Sequence, residues 1–118
     1  MPAPTDNGKV LGSNGEWISV NMVSTIKTGI GTNSEKFNDN NNTASGDYSH
    51  AEGQSTQASG TAAHTEGRFT QASGWGSHAE GIKTFTMGTG SHAEGYSSDG
   101  GISSYRAQGS GSHIEGYS

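Results

Sequence analysis

The chain of 118 residues allows at most one modest domain, and its Leu, Ile, Val and Phe together number only 13, with Leu11 the single leucine. That share, about 11%, lies far below the roughly 20% under which a chain usually stays disordered, so an ordinary private hydrophobic core is excluded and repetition or association must replace it. A net charge of −5 with acids and bases dispersed gives no basic footprint for nucleic acid, and the absence of cysteine removes disulfide scaffolds and thiolate metal sites.

The first 45 residues carry no repeat. The start, Met1-Pro2-Ala3-Pro4-Thr5-Asp6, has neither a basic n-region nor an apolar stretch, and no window approaches the ~20 apolar residues of a membrane span. A soluble chain without a secretion signal is expected. Val10-Leu11, the turn Gly12-Ser13-Asn14-Gly15, and Glu16 to Val20 read as a β-hairpin. Stacked strands leave unpaired edges at their ends, so residues 1–45 are assigned as a cap and attachment module, with the polar run Asn38 to Asn42 as the joint.

From residue 46 onward glycine recurs every seven residues, at Gly46, Gly53, Gly60, Gly67, Gly74, Gly81, Gly88 and Gly95, then at Gly109 and Gly116. Two units alternate between these glycines. One ends Ser-His-Ala-Glu-Gly, as in Ser49 to Gly53, and the other Thr-Gln-Ala-Ser-Gly, as in Thr56 to Gly60, so the true period is 14. A glycine at every seventh position costs a helix about 1 kcal/mol each, with no 3.6-residue apolar stripe to offset it. A four- or five-residue strand plus a tight turn fits each unit instead, and residues 46–118 are expected to form an all-β parallel solenoid with 14-residue coils. Glycine at a corner permits positive φ, so a β-branched replacement there is expected to strain the turn.

One irregularity falls between Gly95 and Gly109. The alternation of units survives if this span is a single half-turn ending Arg106-Ala107-Gln108-Gly109 with a seven-residue insertion around Ser98 to Ser104. Insertions in solenoids emerge as surface loops, which places Ser98 and Ser104 among candidate recognition residues.

Alternate residues of a strand face opposite sides, so each histidine shares a face with the glutamate two positions on. The pairs are His50 and Glu52, His64 and Glu66, His78 and Glu80, His92 and Glu94, and His113 and Glu115. Mixed His and Glu clusters bind metals or serve as acid/base groups, while a ladder of hydrogen-bonded imidazoles and carboxylates can replace apolar packing if the face is turned inward. Fivefold repetition favours the structural ladder, because a catalytic site needs one geometry once. No residue is assigned a catalytic or metal-binding role, and no cofactor is implied. The aromatic residues Tyr48, Phe69, Trp75, Phe85 and Tyr96 fall at the starts of half-turns, where they either cover neighbouring coils or stack on sugars of a host surface.

The alternation of Ser-His-Ala-Glu-Gly with Thr-Gln-Ala-Ser-Gly resembles the head repeats of trimeric autotransporter adhesins, in which the His and Glu positions are typically valine and isoleucine. The His/Glu version is similar to repeats in tail-fibre, appendage and head-fibre proteins of phages and prophages. The segment from Pro2 to Leu11, closed by Glu16-Trp17, resembles a short module common in phage fibre proteins. These resemblances imply a left-handed β-roll in a homotrimer. They also imply a structural fibre role on a phage particle, attached to other virion proteins through residues 1–45, with a bacterial cell surface as the other location. A receptor-binding head recognising a host cell-surface glycan is the alternative. An enzyme is not expected: the chain shows neither a Gly-x-Ser-x-Gly elbow before a helix nor a non-repeating carboxylate pair.

Overall fold

The computed structural model describes residues 9–11, 15, 17–19, 26–38, 40–98 and 106–118. All elements among them are strands. Lys9–Leu11 (β1) and Trp17–Ser19 (β2) pair antiparallel with Val10 opposite Ile18; the expected turn, Gly12 to Asn14, lies outside the described residues. Ile26–Thr28 (β3) pairs antiparallel with Glu35–Phe37 (β4). Beyond β4 the chain alternates between two walls through Thr43–Ala44 (β5), His50–Ala51 (β6), Gln57–Ala58 (β7), His64–Arg68 (β8), Gln71–Ala72 (β9), His78–Ile82 (β10), Phe85–Thr86 (β11), His92–Tyr96 (β12), Arg106–Ala107 (β13) and His113–Tyr117 (β14).

The even-numbered strands from β4 to β14 form one parallel ladder, and the odd-numbered strands from β5 to β13 form the other. Pairing is in register with the repeat: His78 lies opposite His64 on one side and His92 on the other, and Gln71 lies between Gln57 and Phe85. This is the parallel β-solenoid with 14-residue spacing that the glycine period predicts. Across the insertion, Phe85 pairs with Arg106 and His92 with His113, seven positions more than the usual step, so the ladder continues as though the extra residues were absent. Ser98 is exposed and its N–H donates to the Ser118 carbonyl at 2.8 Å; Ser104 lies outside the described residues.

The interior is built from small side chains. Ala44, Ala58, Ala72 and Ala107 on one wall and Ala51, Ala79 and Ala93 on the other are fully buried. Thr56, Thr70 and Thr84 fill one corner of successive coils. At the other corner Ser49, Ser77 and Ser91 donate their hydroxyls to the carbonyls of Gly46, Gly74 and Gly88 at 2.6, 2.8 and 2.7 Å. A coil of 14 residues closes too tightly to hold leucine, and alanine, serine and threonine fit the gap while satisfying the corner carbonyls. The scarcity of large apolar residues is thus a property of the coil's cross-section.

The two glycine series have different causes. Gly53, Gly67, Gly81, Gly95 and Gly116 have φ between 104° and 125°, as expected for corner glycines. Gly46, Gly60, Gly74, Gly88 and Gly109 are not in the positive-φ region, which corrects the expectation for half of the series. At Gly46, Gly60 and Gly74 the requirement is proximity, since a Cβ there would overlap the carbonyl of the glycine one coil further on.

The parallel ladder also reaches back past the first recognisable repeat. Glu35 lies opposite His50, and Lys36 opposite Ala51. Gly31 packs under Gly46, and the Ser34 hydroxyl donates to the Gly31 carbonyl at 2.7 Å, as Ser49 does to Gly46. The segment Gly31 to Glu35 therefore repeats the geometry of Gly46 to His50 with little of its sequence.

Candidate functional site

On the ladder of even-numbered strands the small residue between His and Glu (Ala51, Thr65, Ala79 and Ala93) is buried and points inward, so both neighbours point outward. The interior place that the inward-ladder reading gives this face is occupied by alanine, serine and threonine. The side chains of His50, His64, His78 and His92 are 29, 38, 32 and 34% exposed, so the column is a half-buried outer face of the chain.

Strand spacing imposes the column's geometry. The rings of His64, His78, His92 and His113 stack with centroids 4.7, 4.8 and 4.9 Å apart and planes within 5° of parallel, the separation of neighbouring strands. His50 departs from this: its ring stands at 75° to that of His64. Its Nδ1 lies 2.9 Å from Glu35 Oε1, a hydrogen-bonding distance.

The remaining imidazole contacts are longer. His78 Nε2 lies 3.4 Å from Glu66 Oε1 and 3.7 Å from Glu80 Oε2, and His92 Nε2 lies 3.6 Å from Glu80 Oε1 and 3.8 Å from Glu94 Oε2. Glu52, Glu80 and Glu94 thus each bridge two histidines, one oxygen to each, beyond hydrogen-bond range. Nε2 of His64, His78 and His92 is buried without a hydrogen-bond partner, so the expected polar network is not closed by hydrogen bonds. Four groups, His50/Glu52/His64, Glu66/His78/Glu80, Glu80/His92/Glu94 and Glu94/His113/Glu115, each bring their donor atoms within 4.8 Å of one another. Beside the column runs an open trough of about 700 Å³, lined by Glu52, Glu66, Glu80 and Glu94, by the glycine after each, and by Phe37.

Burial, with the nearby imidazoles of His64 and His92, holds His78 below its ordinary pKa of 6.5 against the opposing pull of Glu80 and Glu94. For Glu52, burial alone raises the pKa, but Glu66, His50 and His64 outweigh it and hold the carboxyl below 4.5. A histidine held low contributes stability above 6.5 that fades as pH falls through its folded value, and a carboxylate held low contributes stability above 4.5 that fades below it. The melting temperature of chelator-treated protein is therefore expected to fall from about pH 8 to about pH 4, beginning on the histidine side. Circular-dichroism melts across that range check it, and a flat profile would remove the titrating column.

The candidate aromatic residues do not form one platform. Tyr48 and Trp75 stand 62 and 63% exposed near the turns that lead into the His-bearing strands. Phe69 and Tyr96, 42 and 37% exposed, stand at the opposite corner, where those strands end. Tyr96 packs against Tyr117 with ring centroids 5.2 Å apart. Arg68 covers Phe69 and Arg106 covers Phe85, with guanidinium carbons 5.0 and 5.6 Å from the ring centroids.

The sequence reading missed Glu35 and took Asn42 only as part of a polar joint, whereas it is buried. The spacing Gly31-x-x-Ser34, matching Gly46-x-x-Ser49, is the signal that places Glu35 in the histidine column one coil earlier. Comparison with protein-family models, curated proteins and solved structures finds no match.

Proposed function

We propose that the chain is a structural fibre component of a phage or prophage particle. In this reading three copies stand side by side on the particle surface, with residues 1–45 directed to other virion proteins. The observation that carries it is translation along a single axis: from His64 to His113 the same His/Glu face recurs at each coil, with histidine rings 4.7 to 4.9 Å apart. A repeating rod transmits length. The half-buried His/Glu face and its trough give neighbouring columns a long matching surface, and the resemblance of the repeats to adhesin heads and phage fibres supports a threefold arrangement.

The test of association is native mass by light scattering. Three times the 12.1 kDa chain is expected; a well-folded monomer would overturn the trimer. Antibody labelling of particles in the electron microscope tests the location. A glycan-binding head is the second reading, supported by the exposed Tyr48 and Trp75, and binding of the isolated protein to host cells separates it from a purely structural role.

A further inference from the structure

The N-terminal end of the histidine column differs from the rest. His50 Nε2 lies 3.5 Å from Glu52 Oε2, and His64 Nε2 lies 3.5 Å from Glu52 Oε1. All three donors sit within 4.8 Å of one another. These separations are too long for hydrogen bonds. The two 3.5 Å separations, each to its own oxygen of Glu52, fall within the ligand-to-ligand edge of roughly 3.3–3.6 Å in a tetrahedron whose metal–ligand bonds are about 2.0–2.2 Å.

Two further observations point to a cation. Glu35 Oε1 lies 2.9 Å from His50 Nδ1 and suits the neutral tautomer with its proton on Nδ1, the form that presents the Nε2 lone pair to the Glu52 side. A carboxylate on the remote imidazole nitrogen is the usual outer support of a metal-bound histidine. His64 Nε2 is buried and has no hydrogen-bond partner. The His50 ring, at 75° to its neighbour where the other ring pairs are within 5°, reaches Glu35 through Nδ1, and both Nε2 atoms approach Glu52 to 3.5 Å, closer than the 3.6–3.8 Å at Glu80 and Glu94.

We propose that His50 Nε2, His64 Nε2 and the Glu52 carboxylate bind one zinc-class divalent cation per chain, with Glu35 orienting His50 and water completing the coordination. Two imidazoles and one carboxylate suit zinc, nickel or cobalt, whereas calcium and magnesium take oxygen donors. The other three groups of the column carry a single imidazole each and are the weaker sites. The inference stands on this geometry and does not depend on the fibre reading.

The test is calorimetric titration of the chelator-treated full chain with zinc chloride, repeated with cobalt(II) and read by visible absorption. One tight site per chain is expected, at about micromolar Kd or below, with the intense absorption of tetrahedral cobalt. Glu52→Gln, His64→Gln and Glu35→Gln should each weaken it roughly tenfold or more. His113→Gln, at the exposed far end of the column, should leave it unchanged. Absence of zinc binding to the unaltered chain overturns the proposal without reference to any variant. An equal loss in His113→Gln, or four equivalent sites, overturns it by showing cations held diffusely along the column.

Discussion

Gly81→Ala is expected to cost about 4 kcal/mol or more, a large share of the whole stability of a small domain, and to lower the melting temperature by more than about 15 °C. Two penalties act at once. Gly81 has φ of 105°, outside even the left-handed region that alanine tolerates at about 1–2 kcal/mol. A Cβ there would also overlap the carbonyl oxygen of Gly95 in the next coil. That obstacle is backbone held in a ladder on both sides, so no side chain can turn away to relieve it, and overpacking of this kind adds several kcal/mol. Gly76→Ala is the control. Gly76 has φ of 61° and nothing within 4 Å of a built Cβ, and one coil earlier Ala62 occupies the equivalent corner at φ of 57°. Its cost should be about 1 kcal/mol or less. Thermal melts of the two variants decide the matter: equal shifts would mean that coil-to-coil proximity does not hold the column together.

What the sequence conveyed was periodic, and what it hid was directional. Glycine at every seventh residue determines the coil length, and the alternation of units keeps the register even across the insertion, where His92 still meets His113. Two-residue alternation in a strand assigns His50 and Glu52 to one face and Ser49 and Ala51 to the other, but it does not say which face is inside. Cross-section decides that. A closed 14-residue coil accepts Ala51 and Ala79, whereas an imidazole and a carboxylate in each layer would not fit. Glu35 was hidden for a different reason. The ladder is held by backbone hydrogen bonds and needs only a strand, a corner glycine and a small inward residue, so the coil around Gly31 to Glu35 keeps the geometry after the His-Ala-Glu signature has gone. The aromatic rim was legible residue by residue but not as a surface, because consecutive half-turns send Phe69 and Trp75 to opposite corners.

Asn42 is the second position where a large effect is expected. Composition places it in a polar joint, yet it is 2% exposed. Its Nδ2 donates to the carbonyls of Phe37 and Gly53 at 2.7 and 2.8 Å, and its Oδ1 accepts from the Thr56 N–H and hydroxyl at 3.1 and 2.9 Å. It stands one coil before Thr56, at the head of the column that Thr70 and Thr84 continue, and its longer side chain reaches β4 where threonine would not. Asn42→Leu keeps the bulk and removes these four bonds together with the longer Nδ2 contact to Asn38 Oδ1 at 3.4 Å, leaving donors and acceptors in a dry corner. Each stranded group costs about 1–3 kcal/mol, so a loss of about 3 kcal/mol or more is expected in urea unfolding. Asn42→Thr should cost about half as much, because threonine fits this corner in later coils but does not reach Phe37. A loss below about 0.5 kcal/mol in Asn42→Leu, the range of ordinary surface changes, would mean that the corner relaxes and rebonds elsewhere. The consequence extends to the cation site. Phe37 ends the strand that carries Glu35 to His50, so releasing it withdraws the carboxylate that orients the imidazole. Asn42→Leu should therefore weaken zinc binding by about the same factor as Glu35→Gln, although Asn42 contacts none of the three ligands.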